Sequence, residues 1–324
     1  AISHSVFERI LDLLAHDDEV GHEYNFTAMA MRINRAINSV SRLHRDVTRK
    51  QFPNFAHKIK AITNGVHHLT WISERRAVCF NRIPSLRTWR DDPSCFGAIS
   101  SEEQELLRQH LGTAWRDDNR RLIGYVNSML KRHREQMIET WIDPPNHLSN
   151  VPETDWLRPD VFTIGFARRF STYKRADLIF DDIDRLADIL LAHNWPVNFL
   201  FAGKAHPADE PGKMLIQQVY RAVKDSRSGG RLVFLEDYEM NVARYLVQGV
   251  DVWMNTPRRP NEASGTSGEK AAINGVMTES VEHAATVDQL ALGPRRRARM
   301  TEVLREAWHW EDHTLFLRAV LFVG

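Results

Sequence analysis

Residues 250–275 read VDVWMNTPRRPNEASGTSGEKAAING. Val250–Asn255 is a short apolar run with the composition of a buried strand, and the prolines at 257 and 260 end it. Ser264-Gly265-Thr266-Ser267-Gly268 then opens a helix. Thr266 or Ser267 can cap it, while Gly265 and Gly268 let the backbone turn tightly and turn several free N–H groups to one side. Strand, loop and helix in this order repeat upstream. The pattern predicts strands over Val161–Phe166, Val197–Ala202 and Arg231–Glu236, with helices from about Lys174, from Gly212 and over Met240–Gln248. Such alternation specifies an α/β fold, a doubly wound, Rossmann-like parallel sheet covered on both faces.

Ligands of such sheets bind at the carboxyl ends of the strands. Arg168 and Arg169 follow the first of these strands, Gly203 and Lys204 the second, Glu236 to Tyr238 the third, and the SGTSG loop the fourth. Arg168, Arg169 and Lys174 concentrate positive charge there, although a structural salt-bridge cluster has the same composition. A helix start attracts phosphate. Lys270 is read as lying in the first turn of its helix, where the positive end of the dipole lowers an amine's pKa, and only the neutral amine is a nucleophile. A phosphate cradle beside an activated lysine is what a pyridoxal phosphate enzyme needs. The plain alternative is a glycine-rich turn with a solvated lysine.

Towards the N-terminus the signals are those of packing. Residues 5–15 place Val6, Ile10 and Leu13 on one helical face, and a second, longer helix is expected to carry Met29, Ile33, Ile37, Val40, His44 and Val47. Arg75 to Phe96 reads as an irregular connection. Ser101-Glu102-Glu103-Gln104 has the form of a capping box, followed by two helices broken near Gly112. The run Lys131-Arg132-His133-Arg134 is a solvated helix face and not a nucleic-acid reader. Thr278 to Gly324, with a basic cluster at Arg295–Arg297 and with Trp308 and Trp310, reads as further helices.

Composition narrows the function classes. The 324 residues are 43% hydrophobic, enough for a large core, and 43 basic against 42 acidic side chains leave no overall attraction to nucleic acid or anionic membrane. Cys79 and Cys95 have neither zinc spacing nor a disulfide framework, which points to a reducing compartment, the cytoplasm. No stretch approaches a membrane span, and the first residues lack the pattern of a signal peptide. No metal site is expected.

Four stretches together resemble one family. EASGTSGEK (262–270) is similar to the pyridoxal phosphate segment of the α-glucan phosphorylases, the glycogen and starch phosphorylase family. IGFARRFSTYKRADLIF (164–180) resembles the family's phosphate-binding strand and helix, FLFAGKAHPADEPGK (199–213) its next strand and turn, and ITNGVHHLTW (62–71) the entry to its C-terminal domain. The resemblance runs from about Glu23 to Val276. It implies the C-terminal domain of a two-domain GT-B architecture, with residues 1–45 a helical remnant of the N-terminal domain and 46–324 the Rossmann-like domain.

The implied reaction is reversible phosphorolysis of α-1,4-glucan to α-glucose 1-phosphate, with inorganic phosphate as second substrate and pyridoxal phosphate acting through its phosphate group. By the same resemblance Arg169 and Lys174 meet substrate phosphate, Lys174 also lying near the cofactor. Arg168, Thr266 and Ser267 go to the cofactor phosphate, Lys270 to its Schiff base, and Tyr238 to its surroundings. Asn38, Glu262, Ser264 and Gly265 match positions that hold the sugar; for Glu262 the alternative is a loop carboxylate paired with Arg258 or Arg259. His44 matches a family position and is read as packing. A homodimer is one assembly open to such a chain.

Departures from the family pattern are Ser39 in place of a glycine, Glu269 in place of a methionine, and an unrecognisable segment after Val276. Most of the family's N-terminal domain, one wall of the cleft, has no counterpart, so the chain alone is expected to be inactive. Two other readings stay open at this level: a non-catalytic carbohydrate-binding relative, and a sugar-nucleotide glycosyltransferase of the same architecture, which would have no use for Lys270 as a Schiff base.

Overall fold

A computed structural model of the chain describes residues 6, 9, 16–17, 21–139, 157–159, 161–191, 196–224, 230–258 and 261–280. Most of the expected helix over 5–15 and everything after 280 lie outside these residues. The chain divides into two compact units, one of residues 1–65 with 260–266 and one of 66–259 with 267–324.

In the first unit β1 (His16–Asp17) and β2 (Gly21–Tyr24) form an antiparallel pair. They are followed by α1 (Phe26–Ile33), β3 (Ile37–Ser39), α2 (Arg42–Gln51) and β4 (Ile59–Ala61), with β3 and β4 paired in parallel. The long helix expected across Met29–Val47 is therefore two helices with a strand between them. Local capping overrides the apolar spacing. The Asn34 side chain donates to Ala30 O at 2.7 Å to close α1, and Ser41 Oγ accepts the His44 N–H at 3.0 Å to open α2.

The second unit holds a five-stranded parallel sheet in the order β7-β6-β5-β8-β9, built from β5 (Phe162–Ala167), β6 (Val197–Ala202), β7 (Leu232–Leu235), β8 (Val252–Asn255) and β9 (Met277–Ser280). Side chains alternate between the faces. Phe162, Ile164 and Phe166 of β5 and Val197, Phe199 and Phe201 of β6 pack with α6 (Ile183–Leu191) and α7 (Glu210–Val223) through Leu186, Leu190, Leu215 and Val219. On the opposite face Leu200, Val233 and Trp253 meet α5 (Ser101–Glu139) and α8 (Met240–Gly249) through Leu122, Val126, Leu246 and Val247. Both faces are thus covered, as the alternating pattern requires.

Several boundaries move for identifiable reasons. The last expected strand starts at Val252 and not Val250, because Asp251 turns to exchange bonds with β5: its N–H donates to Thr163 O and its carboxylate accepts the Thr163 N–H, both at 2.8 Å. The helix expected from Lys174 begins only at Ile183, since Arg175 sits in the left-handed region (φ 51°) and breaks Thr172–Lys174 off as a single 3-10 turn. The two helices expected after residue 101 are one, running through Gly112 and Gly124. A glycine costs about 1 kcal/mol in a helix, and the buried Trp115, Leu122, Ile123, Val126 and Leu130 outweigh it. Its capping box is Ser100 with Glu103: Ser100 Oγ accepts the Glu103 N–H and Glu103 Oε2 accepts the Ser100 N–H, each at 3.2 Å.

The second unit opens with α3 (His68–Trp71). Arg75–Phe96, which follows, is ordered. It contains most of α4 (Glu74–Asn81) and two 3-10 turns, and its Ala77, Phe80, Ile83, Leu86 and Trp89, with Ile72, form a third core cluster.

Candidate active site

In the second unit the strand order reverses at β5. The chain runs from β5 outward to β6 and β7, then returns to place β8 on the other side of β5. A crevice outside the carboxyl ends at such a reversal is where doubly wound sheets take ligands. Two segments leave the sheet there and are tied together. Thr256 Oγ1 donates to Lys174 O at 3.3 Å, the Arg258 N–H to Tyr173 O at 2.8 Å, and Arg175 Nε to Thr256 O at 2.7 Å. On the β6 side the Arg168 N–H donates to Ala202 O at 3.1 Å and the Phe170 N–H to Lys204 O at 2.9 Å. Gly203 makes this approach possible: a Cβ there would lie 2.1 Å from Arg168 O, at a φ of 156°.

This frame separates the three cations of the segment. Arg168 and Lys174 are buried and Arg169 is exposed. The Arg168 guanidinium lies 6.0 Å from the Phe166 ring centroid and Lys174 Nζ 4.8 Å from that of Tyr173. Buried cations need anionic or dipolar groups about them. Tyr238, after β7, is half-buried; burial pushes its phenol up and Arg168 pulls it back down.

Helix α9 (Thr266–Ile273) carries the lysine. Thr266 and Ser267 are its first two helical residues and not its caps; Ser267 Oγ accepts the indole N–H of Trp253 at 3.2 Å. Lys270 is the fifth residue, beyond the first turn, so the dipole argument loses its force. Its amine is lowered all the same, chiefly by burial, with Glu269 acting in the opposite sense. Nζ sits 4.1 Å from the ring centroid of Trp71. The half-buried Glu269 carboxyl is pushed up by burial and pulled down by Lys270.

Asn38, Glu262, Ser264 and Gly265 belong to the first unit. Asn38 lies exposed in β3, opposite Lys60. The 261–265 loop is held there by Ser41, whose hydroxyl donates to Ala263 O at 2.6 Å. Glu262, Ser264 and Gly265 are half-buried. Arg259, one of the alternative partners of Glu262, lies outside the described residues. His44 acts locally, its Nδ1 accepting the Val40 N–H at 3.2 Å and so fixing the turn between β3 and α2.

Sequence reasoning misses Trp71 as the lysine's neighbour, and gives no role to Arg76, Asp118 or Asn274. Trp71, Arg76 and Asp118 lie on elements remote in sequence from Lys270; Asn274 directly follows α9, and only its Asn-Gly stop signal at 274–275 is visible without the fold. Among the described residues no group of three or more His, Cys, Asp or Glu could hold a metal ion, and no helix is long and apolar enough to cross a membrane.

The family profile of the carbohydrate phosphorylases matches residues 7–290. The chain belongs to that family. Among curated phosphorylases, the glycogen phosphorylase of Aquifex aeolicus is 38% identical over 281 residues, covering 85% of this chain and 39% of that protein. The maltodextrin phosphorylase of Thermococcus litoralis is 37% identical over 272 residues, covering 81% of this chain and 31% of its own length. The glycogen phosphorylase of Mycobacterium tuberculosis is 34% identical over 286 residues, 85% and 31% of the two chains. The chain thus spans only about three to four tenths of the length of these relatives. Residues 7–290 include both segments that leave the sheet at the reversal of strand order and the whole of α9.

Proposed function

We propose that the chain is the cofactor- and phosphate-binding part of an α-glucan phosphorylase, whose reaction transfers the terminal α-1,4-linked glucose of a glucan to inorganic phosphate. The observation that carries the reading is Lys270, half-buried with its amine against the Trp71 ring on a helix that starts at Thr266, a burial that lowers the amine. A non-catalytic binder or a sugar-nucleotide transferase has no use for that amine.

The residues present fit pyridoxal phosphate. Its aldehyde requires a neutral amine, which Lys270 offers at a lower pH than a solvated lysine does. Its phosphate requires cations and helix-start N–H groups, which Arg168 and the first residues of α9 offer, with the Thr266 and Ser267 hydroxyls as further donors. When bound, the cofactor supplies a phosphate that supports proton transfer from the substrate phosphate to the departing glycosidic oxygen.

The remaining roles belong to the chain's own side chains. Lys174, buried beside the strand end, offsets the charge of two neighbouring phosphates, whose repulsion would otherwise keep one of them out. Arg169 is exposed and able to swing towards the substrate phosphate. Tyr238 borders the cofactor. Asn38, Glu262, Ser264 and Gly265 hold sugar hydroxyls. The architecture in view is GT-B, with residues 46–324 as the cofactor domain and 1–45 as the end of the other. The second wall of the cleft comes from the part of the relatives that this chain does not span. Cys79 and Cys95 are both free thiols, which fits the cytoplasm.

Titrating the purified chain with pyridoxal phosphate, followed by absorbance, tests this reading. Saturable binding is expected, weakened at least tenfold by Arg168→Ala, the loss of one charge-assisted contact worth about 1.5–3 kcal/mol. Binding that does not saturate, or that Arg168→Ala leaves unchanged, would contradict it.

A further inference from the structure

The carboxyl end of α9 closes in a turn made by backbone bonds. The Val276 N–H donates to Ala271 O at 3.1 Å and the Gly275 N–H to Ala272 O at 2.8 Å, the paired bonds of a Schellman turn, with Gly275 in the left-handed region (φ 65°). The turn itself is made without the side chain of Asn274. That side chain is nevertheless buried, at 2% exposure, and uses its full hydrogen-bonding capacity. Nδ2 donates to Lys270 O at 2.9 Å and to Trp71 O at 2.8 Å; Oδ1 accepts the Ser73 N–H at 2.8 Å and Arg76 Nη1 at 3.4 Å.

Two of these partners are the lysine and the tryptophan that meet through Nζ and the indole ring. One carboxamide thus holds the backbone of both halves of that contact. Its other end is anchored as well. Arg76 Nη1 also donates to Gln248 O at 2.7 Å and pairs with Asp118 Oδ2 at 2.8 Å, while Gln248 Nε2 adds a second donor to Trp71 O at 3.2 Å. The polar cluster borders a cavity of about 370 Å³ walled by Ile72, Phe80, Trp89, Leu107 and Leu111. Arg76, Asp118 and Asn274 are only 2–3% exposed, so their bonds compete with little water and are correspondingly stiff.

We propose that Asn274 is the positioning residue for Lys270, holding α9 against the Trp71–Ser73 segment so that the amine stays half-buried on the indole face. The inference rests on the reading of Lys270 as the reactive amine. Without Asn274 two backbone carbonyls lose a buried donor, α9 and α3 are free to part, and water reaches Nζ. The amine then titrates closer to an ordinary lysine, since its burial is what lowers it.

The test is competitive acetylation of the full chain across a pH series, without cofactor, reading Lys270 by peptide mass spectrometry. Asn274→Ala should move the midpoint of Lys270 upward by on the order of one pH unit. Asn274→Asp should do the same, because its second oxygen would face the carbonyls of Lys270 and Trp71; being isosteric, it keeps the measurement available if the alanine variant unfolds. Asn119→Ala is the structural control. Asn119 is equally buried and donates to Gly249 O at 3.0 Å, a bond that involves neither Lys270 nor Trp71, so its loss should lower the melting temperature and leave the Lys270 midpoint in place. An unchanged midpoint in folded Asn274 variants, or an equal shift in Asn119→Ala, overturns the proposal. An ordinary lysine midpoint in the parent chain would instead remove the support for Lys270 as the reactive amine.

Discussion

Lys270 and Glu269 illustrate how burial acts on neighbours of opposite charge. It pushes the amine down and the carboxyl up, and each group's charge partly restores the other. Because the folded amine's pKa lies below its unfolded value, the unfolded chain binds more protons between the two. The cost of burying the ammonium is felt in full below that window, and stability rises with pH through it. Replacing Glu269 with methionine removes the carboxylate that raises the amine. Glu269→Met should therefore lower the Lys270 midpoint further, making its acetylation at neutral pH about three- to tenfold faster, a half to one pH unit. An unchanged rate would mean that the carboxylate is screened by solvent. The depressed amine is legible in the sequence for the wrong reason: a first-turn dipole suggests it, but burial against Trp71 is responsible. That contact joins residues 199 positions apart, the difference between 270 and 71, which no local pattern reports.

At the scale of elements, the alternation of apolar runs with amphipathic segments locates every strand of the large sheet from β5 to β8 to within two residues, because a parallel strand buried on both faces leaves an unmistakable run. Two failures fall where a side chain overrides periodicity: Asn34 and Ser41 cut one expected helix in two, and left-handed Arg175 delays another; a third is Thr278–Ser280, expected to open a helical stretch but part of β9. What joins the elements is invisible to such patterns. Arg76 of α4 and Asp118 of α5 form a buried pair 2.8 Å apart, and Arg76 reaches α8 through Gln248 O. Burial lowers the Arg76 guanidinium and raises the Asp118 carboxyl, and the pairing offsets both. Removing one partner strands the other in the core. Arg76→Met should cost about 3–5 kcal/mol, and the double change Arg76→Met with Asp118→Leu should recover a large part of it. Urea midpoints check this. A double variant no more stable than either single one would show that the pair's hydrogen bonds, and not its charges, hold these helices.

For the whole molecule, the decisive arrangement is the reversal of strand order at β5, which brings the 168–175 segment and the 256–258 segment to one edge of a sheet. Convergence of chemically distinctive segments on that edge is readable from the strand ends alone. The assignment to the carbohydrate phosphorylases agrees with it, through a profile spanning residues 7–290. The reading of this chain as a cofactor-binding part of such an enzyme turns on one bond. The chain is mixed with pyridoxal phosphate, reduced with borohydride and digested, and the labelled peptide is identified by mass spectrometry. Label confined to Lys270, and lost in Lys270→Ala, is the predicted result; label spread over surface lysines, or undiminished in Lys270→Ala, would contradict it.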